Sequence, residues 1–235
     1  MIRGNELMKN LFSKWRVARV ISSLLVLTFY CYGQGVDATA NPPGPMDIPN
    51  VRFEYHFAES EHTHYIICVD SEGHGAFVER ADDPQSLPTS FTVSAANRAR
   101  IFSLAQTANY FDGNFDYTKS RIAFTGDKTF TYIGRDGSHS TKINWSEDKS
   151  ITELLALFQG MATTLVAEPK LRRMLKYDRL GLNAQLGILE RQAADGWAKE
   201  LHIIANVLRD IINDRSVMDL ARHRAQHLLA LAEAK

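Results

Sequence analysis

A disulfide framework is the first thing this chain lacks. It has two cysteines, Cys31 and Cys68, and Cys31 lies in a segment that reads as removable. Only Cys68 is then left, so no intrachain bridge forms and stability must come from core packing. Charge of one sign is lacking too, with 27 Lys and Arg against 27 Asp and Glu. That balance leaves no footprint for nucleic acid or an anionic membrane. Catalytic signatures are missing as well: there is no G-x-S-x-G, Walker loop, dinucleotide fingerprint or paired-cysteine zinc pattern.

What is present begins with an export signal over residues 1–40. Lys9, Lys14, Arg16 and Arg19 precede the apolar stretch Val20 to Tyr32, and small residues follow in "GQGVDATA". Ala38 and Ala40 fit the last positions before a cleavage site, Gly33 and Gly35 offer a second one, and Met8 is an alternative start. The apolar stretch is short of the ~20 residues of a membrane span, so cleavage is expected, with an uncleaved anchor as the alternative. Phe29 and Tyr30 are too bulky for lipoprotein processing at Cys31. The first forty residues carry five basic and two acidic side chains, which leaves 22 against 25 in the 195 residues that remain.

Residues 41–50, "NPPGPMDIPN", form a Pro-rich leader. An α+β domain is expected over 51–166, with two antiparallel β-meanders each followed by a helix. The first meander has strands at Val51–Phe57, His64–Asp70 and Gly75–Arg80. Ser94 then caps a helix over 95–108. The second has strands at Lys119–Phe124, Thr129–Gly134 and His139–Trp145. Asp136-Gly137 is read as a type I′ turn that sets Phe130 against Ile143 and Tyr132 against Thr141, with Ile122 on the same face. A capping box at Ser150 and Glu153 opens a helix over 151–166. An all-helical region, 167–235, is expected to pack on this domain with helices at 170–177, 182–194, 197–213 and 216–234, the last capped by Ser216 and Asp219. The strand-rich part 41–165 is formally −6 and the part 166–235 is +3, so opposite signs favour their packing. Phe53, Tyr55, Ile67, Phe130, Ile143, Trp145, Leu154 and Phe158 are the expected core.

The stretch "ESEHTHYIICVDSEGHGA" holds the candidate metal ligands. His64 and Cys68 are about 13 Å apart along a strand, too far to share an ion with bonds of ~2.0–2.3 Å. His74 lies at the far end of the hairpin. The preceding strand supplies a better partner. If Phe57 pairs with Thr63, then Tyr55 meets Tyr65, Phe53 meets Ile67 and Val51 meets Val69, giving one wholly apolar face. A one-residue slip would mix the two sets. The other face then sets His56 across from His64, with His62 about 7 Å along the strand. His56, His62 and His64 can converge on zinc or copper, with Glu54, Glu59 or Glu61 completing the shell. The plainer reading is a polar hairpin face.

Other clusters read as structural. His223 and His227 have the helical spacing of a zinc site, but Arg224 stands where a metalloprotease has its glutamate, so they are read as boundary residues. Asp112, Asn114 and Asp116 in "DGNFD" lack the glycine and glutamate of a calcium loop. Lys170, Arg172, Arg173, Lys176 and Arg179 form a basic run, with the acidic strand-rich part as the expected partner.

The signal, "YIICVDSEGHGAF" and "RIFSLAQTANYF" together resemble secreted bacterial proteins of unknown function. The resemblance covers about a third of the chain and implies no residue roles. The expectation is an exported periplasmic or secreted cell-envelope protein that binds an unknown protein or envelope component, with no nucleic acid and no stable membrane insertion after cleavage. The alternative is a metal-binding protein or hydrolase using His56, His62 and His64.

Overall fold

The computed structural model describes residues 48–57, 64–135 and 137–234. Residues 1–40, expected to be an export signal, the leader up to residue 47, the Phe57–Thr63 pair's second member, His62 and Asp136 lie outside the described residues. Period-two alternation in Asn50–His56 (β1) and His64–Asp70 (β2) produces an antiparallel pair in the expected register: Val51 opposite Val69, Phe53 opposite Ile67, Tyr55 opposite Tyr65 and His56 opposite His64. His74–Glu79 (β3) continues the meander. Thr89–Thr92 (β4) extends it by a fourth, short strand that the sequence pattern had not assigned to any element. Phe91 anchors this short edge by laying its ring over Gly75, where an added Cβ would come within 2.4 Å of it.

Ala95–Thr107 (α1) follows, with Ser94 accepting from the Asn97 amide as its cap. Asp127–Gly134 (β5) and Gly137–Ile143 (β6) form a hairpin, and β5 pairs with β1. The two meanders therefore merge into one six-stranded antiparallel sheet, ordered β4-β3-β2-β1-β5-β6. The expected strand Lys119–Phe124 does not form. β1 already occupies the edge of β5 that it would need, and Phe124 is exposed. Side chains hold this segment instead. Asn144 donates to the Ala123 carbonyl and accepts from the Thr125 amide, while the buried Lys128 ammonium donates to the carbonyls of Thr125, Gly126 and Asn144. Ile122 consequently lies outside the sheet.

Two further expectations are corrected here. The hairpin closes on Gly134 opposite Gly137, so Phe130 meets Thr141 and Tyr132 meets His139. The offset is two residues, which leaves every side chain on its expected face; Gly137, at φ +132, takes the backbone conformation that closes the turn. Trp145 is 42% exposed. β6 ends at Ile143, and the Asp116 carboxylate captures the Asn144 and Trp145 amides, leaving the indole edge-on to Tyr117 outside the core.

Lys149–Tyr177 (α2) is a single helix of 29 residues that runs through Pro169, joining two segments expected to be separate. The proline removes one backbone donor, but Leu165 and Leu171 on either side are buried and hold the helix in line. Asp148, not Ser150, is its cap, accepting from the Ser150 and Ile151 amides. Glu153 reaches Arg100 of α1 instead of closing a capping box. Leu182–Ala194 (α3), Ala205–Asn213 (α4) and Asp219–Glu233 (α5) complete the chain, with a 3-10 turn at Leu201–Ile204. Ser216 bonds to Asp214, so the residue before α5 is Met218, with no side-chain cap.

The architecture is α+β with a helical C-terminal part. Its packing has two centres. One joins the apolar sheet face to α1 and the first half of α2, through Phe53, Phe130, Ile101, Leu154 and Phe158. The other begins at Ala167 and gathers Leu171, Leu186, Leu208 and Leu228. α2 is long and apolar enough to cross a membrane, yet most of that stretch is buried between these two centres.

Candidate functional site

A concavity among the described residues follows from spacing on three elements. Tyr55, Tyr65 and Glu79 are cross-strand partners on β1, β2 and β3, so they form one transverse row. On α2, Gln159, Thr163, Val166, Lys170 and Arg173 recur at three and four residues and share a face. On α3, Gln185, Ile188 and Gln192 do the same. Row, helix and helix bound a trough of about 750 Å³.

Its chemistry is uneven. The two tyrosine rings meet at 5.2 Å between centroids, tilted by 39°. Burial pushes both phenols up, Tyr65 the more strongly with the help of Tyr55, so they stay protonated; the Tyr55 hydroxyl donates to the Thr125 carbonyl. Glutamine amides and the Thr163 hydroxyl add neutral donors and acceptors. Among the described residues, Glu79 is the one carboxylate in the lining and no histidine lines it.

The basic run decides the electrostatics. Arg172 pairs with Glu168 and Asp210, Arg179 pairs with Asp214, and Lys176 lies over the Tyr177 ring. These partners belong to the helical part, not to the acidic strand-rich part expected from net charge. Lys170 and Arg173 have no ion pair among the described residues, and both line the trough. Two cations without an ion pair among the described residues thus line the same trough as the tyrosine rings and the amides.

The described members of the expected ligand set, His56 and His64, fall elsewhere, on the opposite sheet face. His56 and His64 are cross-strand neighbours with ring centroids 5.1 Å apart. His64 Nε2 is 2.8 Å from a Glu54 oxygen, and Arg52 donates to the other Glu54 oxygen. His62 lies outside the described residues, and among those described no three metal-ligating side chains come together. Cys68 is buried and His74 meets Asp70, whose other oxygen caps the turn at Glu72 and His74. His227 bonds to Glu190, as does Arg224, so this helix is cross-linked to α3 at the positions that had suggested zinc. Asn114 and Asp116 accept backbone amides, as a turn requires.

One buried acid is unlike the rest. Glu200, left-handed at φ 55, accepts from the Ser94 amide and hydroxyl and the Asn97 side chain, and lies 3.0 Å from His202 Nδ1. Burial raises its pKa, but these donors outweigh it and hold the carboxyl at about 2. His202 is held up by Glu200, and its other nitrogen meets the Thr92 carbonyl. The cluster locks the helical part to the start of α1, with every carboxylate lone pair spent on that task.

The sequence reading passed over the trough. Gln159, Thr163, Lys170 and Arg173 on one face of α2, with Gln185 and Gln192 at i and i+7 on α3, were a visible signal of polar residues along otherwise apolar helices. No protein-family model matches the chain, and no curated protein matches it.

Proposed function

We propose that this is an exported cell-envelope protein that binds, without transforming it, a ligand carrying a carboxylate or phosphate in the trough along α2. The single observation behind this reading is the pair Lys170 and Arg173, unneutralised among the described residues at a concave, aromatic-lined surface. Their charge selects an anion, the Tyr55 and Tyr65 rings offer a surface for a flat or extended body, and the glutamine amides suit hydroxyl or amide groups. Among the described residues the lining is cations, phenols and amides with one carboxylate, a set suited to recognition. The export signal supplies the cell-envelope part of the reading.

Titration calorimetry with acidic peptides, acidic oligosaccharides and their neutral counterparts tests it. At least one acidic member should bind, and Lys170→Gln/Arg173→Gln should weaken it tenfold or more while leaving the melting midpoint in place, since both side chains are exposed. Indifference of every acidic probe to this substitution would overturn the assignment.

A second reading rests on the His56–His64 pair, which has the separation at which two imidazoles, with His62, take zinc or copper. On that reading added zinc or copper raises the melting midpoint of the parent and leaves that of His56→Ala/His64→Ala unmoved. Equal curves for the two proteins would dispose of it.

A further inference from the structure

The trough has two unlike ends. A short turn separates α2 from α3, and beyond α3 the Ala198 amide donates to the Gln192 carbonyl while the Lys199 amide donates to that of Gly160 on α2. The two helices therefore run antiparallel, with Gln192 beside Gln159 and Thr163, and Gln185 toward Lys170 and Arg173. From Thr163 to Arg173 the trough extends about 15 Å along the α2 axis. Val166 and Ile188 lie between its ends, and Ile188 is 41% exposed. The side-chain amides of Gln159, Gln185 and Gln192 form no hydrogen bond among the described residues.

We infer that the ligand of this trough is the C-terminal end of an extended peptide, its terminal carboxylate held by Lys170 and Arg173 and its backbone by the glutamine amides; this rests on the anion site proposed above. The N–H and C=O of one extended residue point to the same side, so a single side-chain amide bonds both. At ~3.3 Å per residue, the 15 Å takes about four or five residues. Both cations lie at one end, which matches a single charge at the tip of the ligand. An anion repeated along its length would leave the further charges facing neutral side chains. Val166 and Ile188 accept an apolar side chain, whereas a sugar laid over them would bury hydroxyls without partners.

The probe is a mixture of random N-acetylated pentapeptides, made once as free acids and once as C-terminal amides, passed over the immobilised chain and read by mass spectrometry. The acids should be retained at least tenfold more strongly than the amides, and Lys170→Gln/Arg173→Gln should erase that difference. Gln185→Leu/Gln192→Leu should weaken retention of the acids tenfold or more and leave the melting curve in place, since neither amide is bonded within the described fold. Equal retention of acids and amides by the parent would overturn the inference, as would glutamine variants that hold the acids like the parent. An acidic oligosaccharide that binds through Lys170 and Arg173 where no peptide acid does would overturn it too, while leaving the anion site standing. Failure of both probes to bind would remove the anion site as well.

Discussion

Phe130→Ala is expected to lower the unfolding free energy by about 4 kcal/mol, the middle of the range for losing a buried phenylalanine. Phe130 is fully buried on β5 and is the point where four elements meet. Its ring lies 4.9 Å from that of Phe53 on β1, 5.4 Å from Phe111 and 5.9 Å from Phe158 on α2. Phe111 belongs to a short 3-10 turn, Asn109–Phe111, whose three residues all have positive φ. Left-handed backbone costs about 1–2 kcal/mol per residue, and stacking on Phe130, with Tyr110 on Tyr132, holds the turn in that shape. Truncation therefore opens a cavity and releases a strained turn together. Urea denaturation reads the loss as a lower midpoint at unchanged slope. Phe124→Ala, at an exposed ring, serves as the control, with a change within about 0.5 kcal/mol. A Phe130→Ala midpoint close to that of Phe124→Ala would contradict the packing described here.

The second large effect is at Glu200. Its carboxyl stands at about 2 in the folded chain against an ordinary 4.5, so the folded state prefers the anion. Stability from this group is present above pH 4.5 and drains away as pH falls toward 2. His202 has the opposite sign. Its pKa is raised, so its contribution is whole below its ordinary 6.5 and is lost as pH climbs through the raised value. The clasp is at full strength between about pH 4.5 and 6.5. Glu200→Gln keeps the shape but removes the charge that His202 faces, and should cost about 2 kcal/mol near pH 6 after allowance for solvent screening. Glu200→Ala also strands the Ser94 and Asn97 donors, and about 3 kcal/mol is expected. Chemical denaturation of parent and Glu200→Gln from pH 2 to 7 supplies the check: the two stability curves should converge toward the acid end. Curves that stay parallel throughout would remove Glu200 from any role in the acid sensitivity.

Alternation of side chains determined the most from sequence alone. On β1 and β2, a one-residue slip would set Phe53 and Tyr55 on the face of His64 and Cys68, so hydrophobic burial leaves one register, and that register is found. The Ser94 cap of α1 and the break at Gly196 after α3 were legible for a similarly local reason, a side-chain acceptor beside free amides and a left-handed glycine. The β5–β6 offset was not legible, because a shift of two residues buries the same side chains and only the turn backbone discriminates.

Competition between distant segments decided the rest. Residues 119–124 alternate well enough to form a strand, but β1 reaches the edge of β5 and excludes them. Glu153 matches a capping box, yet Arg100 of α1 draws it away and Asp148 caps the helix in its place. The basic run could be seen in the sequence, but which of its charges are neutralised depends on Asp210 and Asp214, more than thirty residues further along. The trough has the same origin. Tyr55, Tyr65, Arg173 and Gln192 have no local pattern in common and become neighbours only when α2 and α3 pack beside the sheet, because concavity is a property of packed elements and no single one of them carries it.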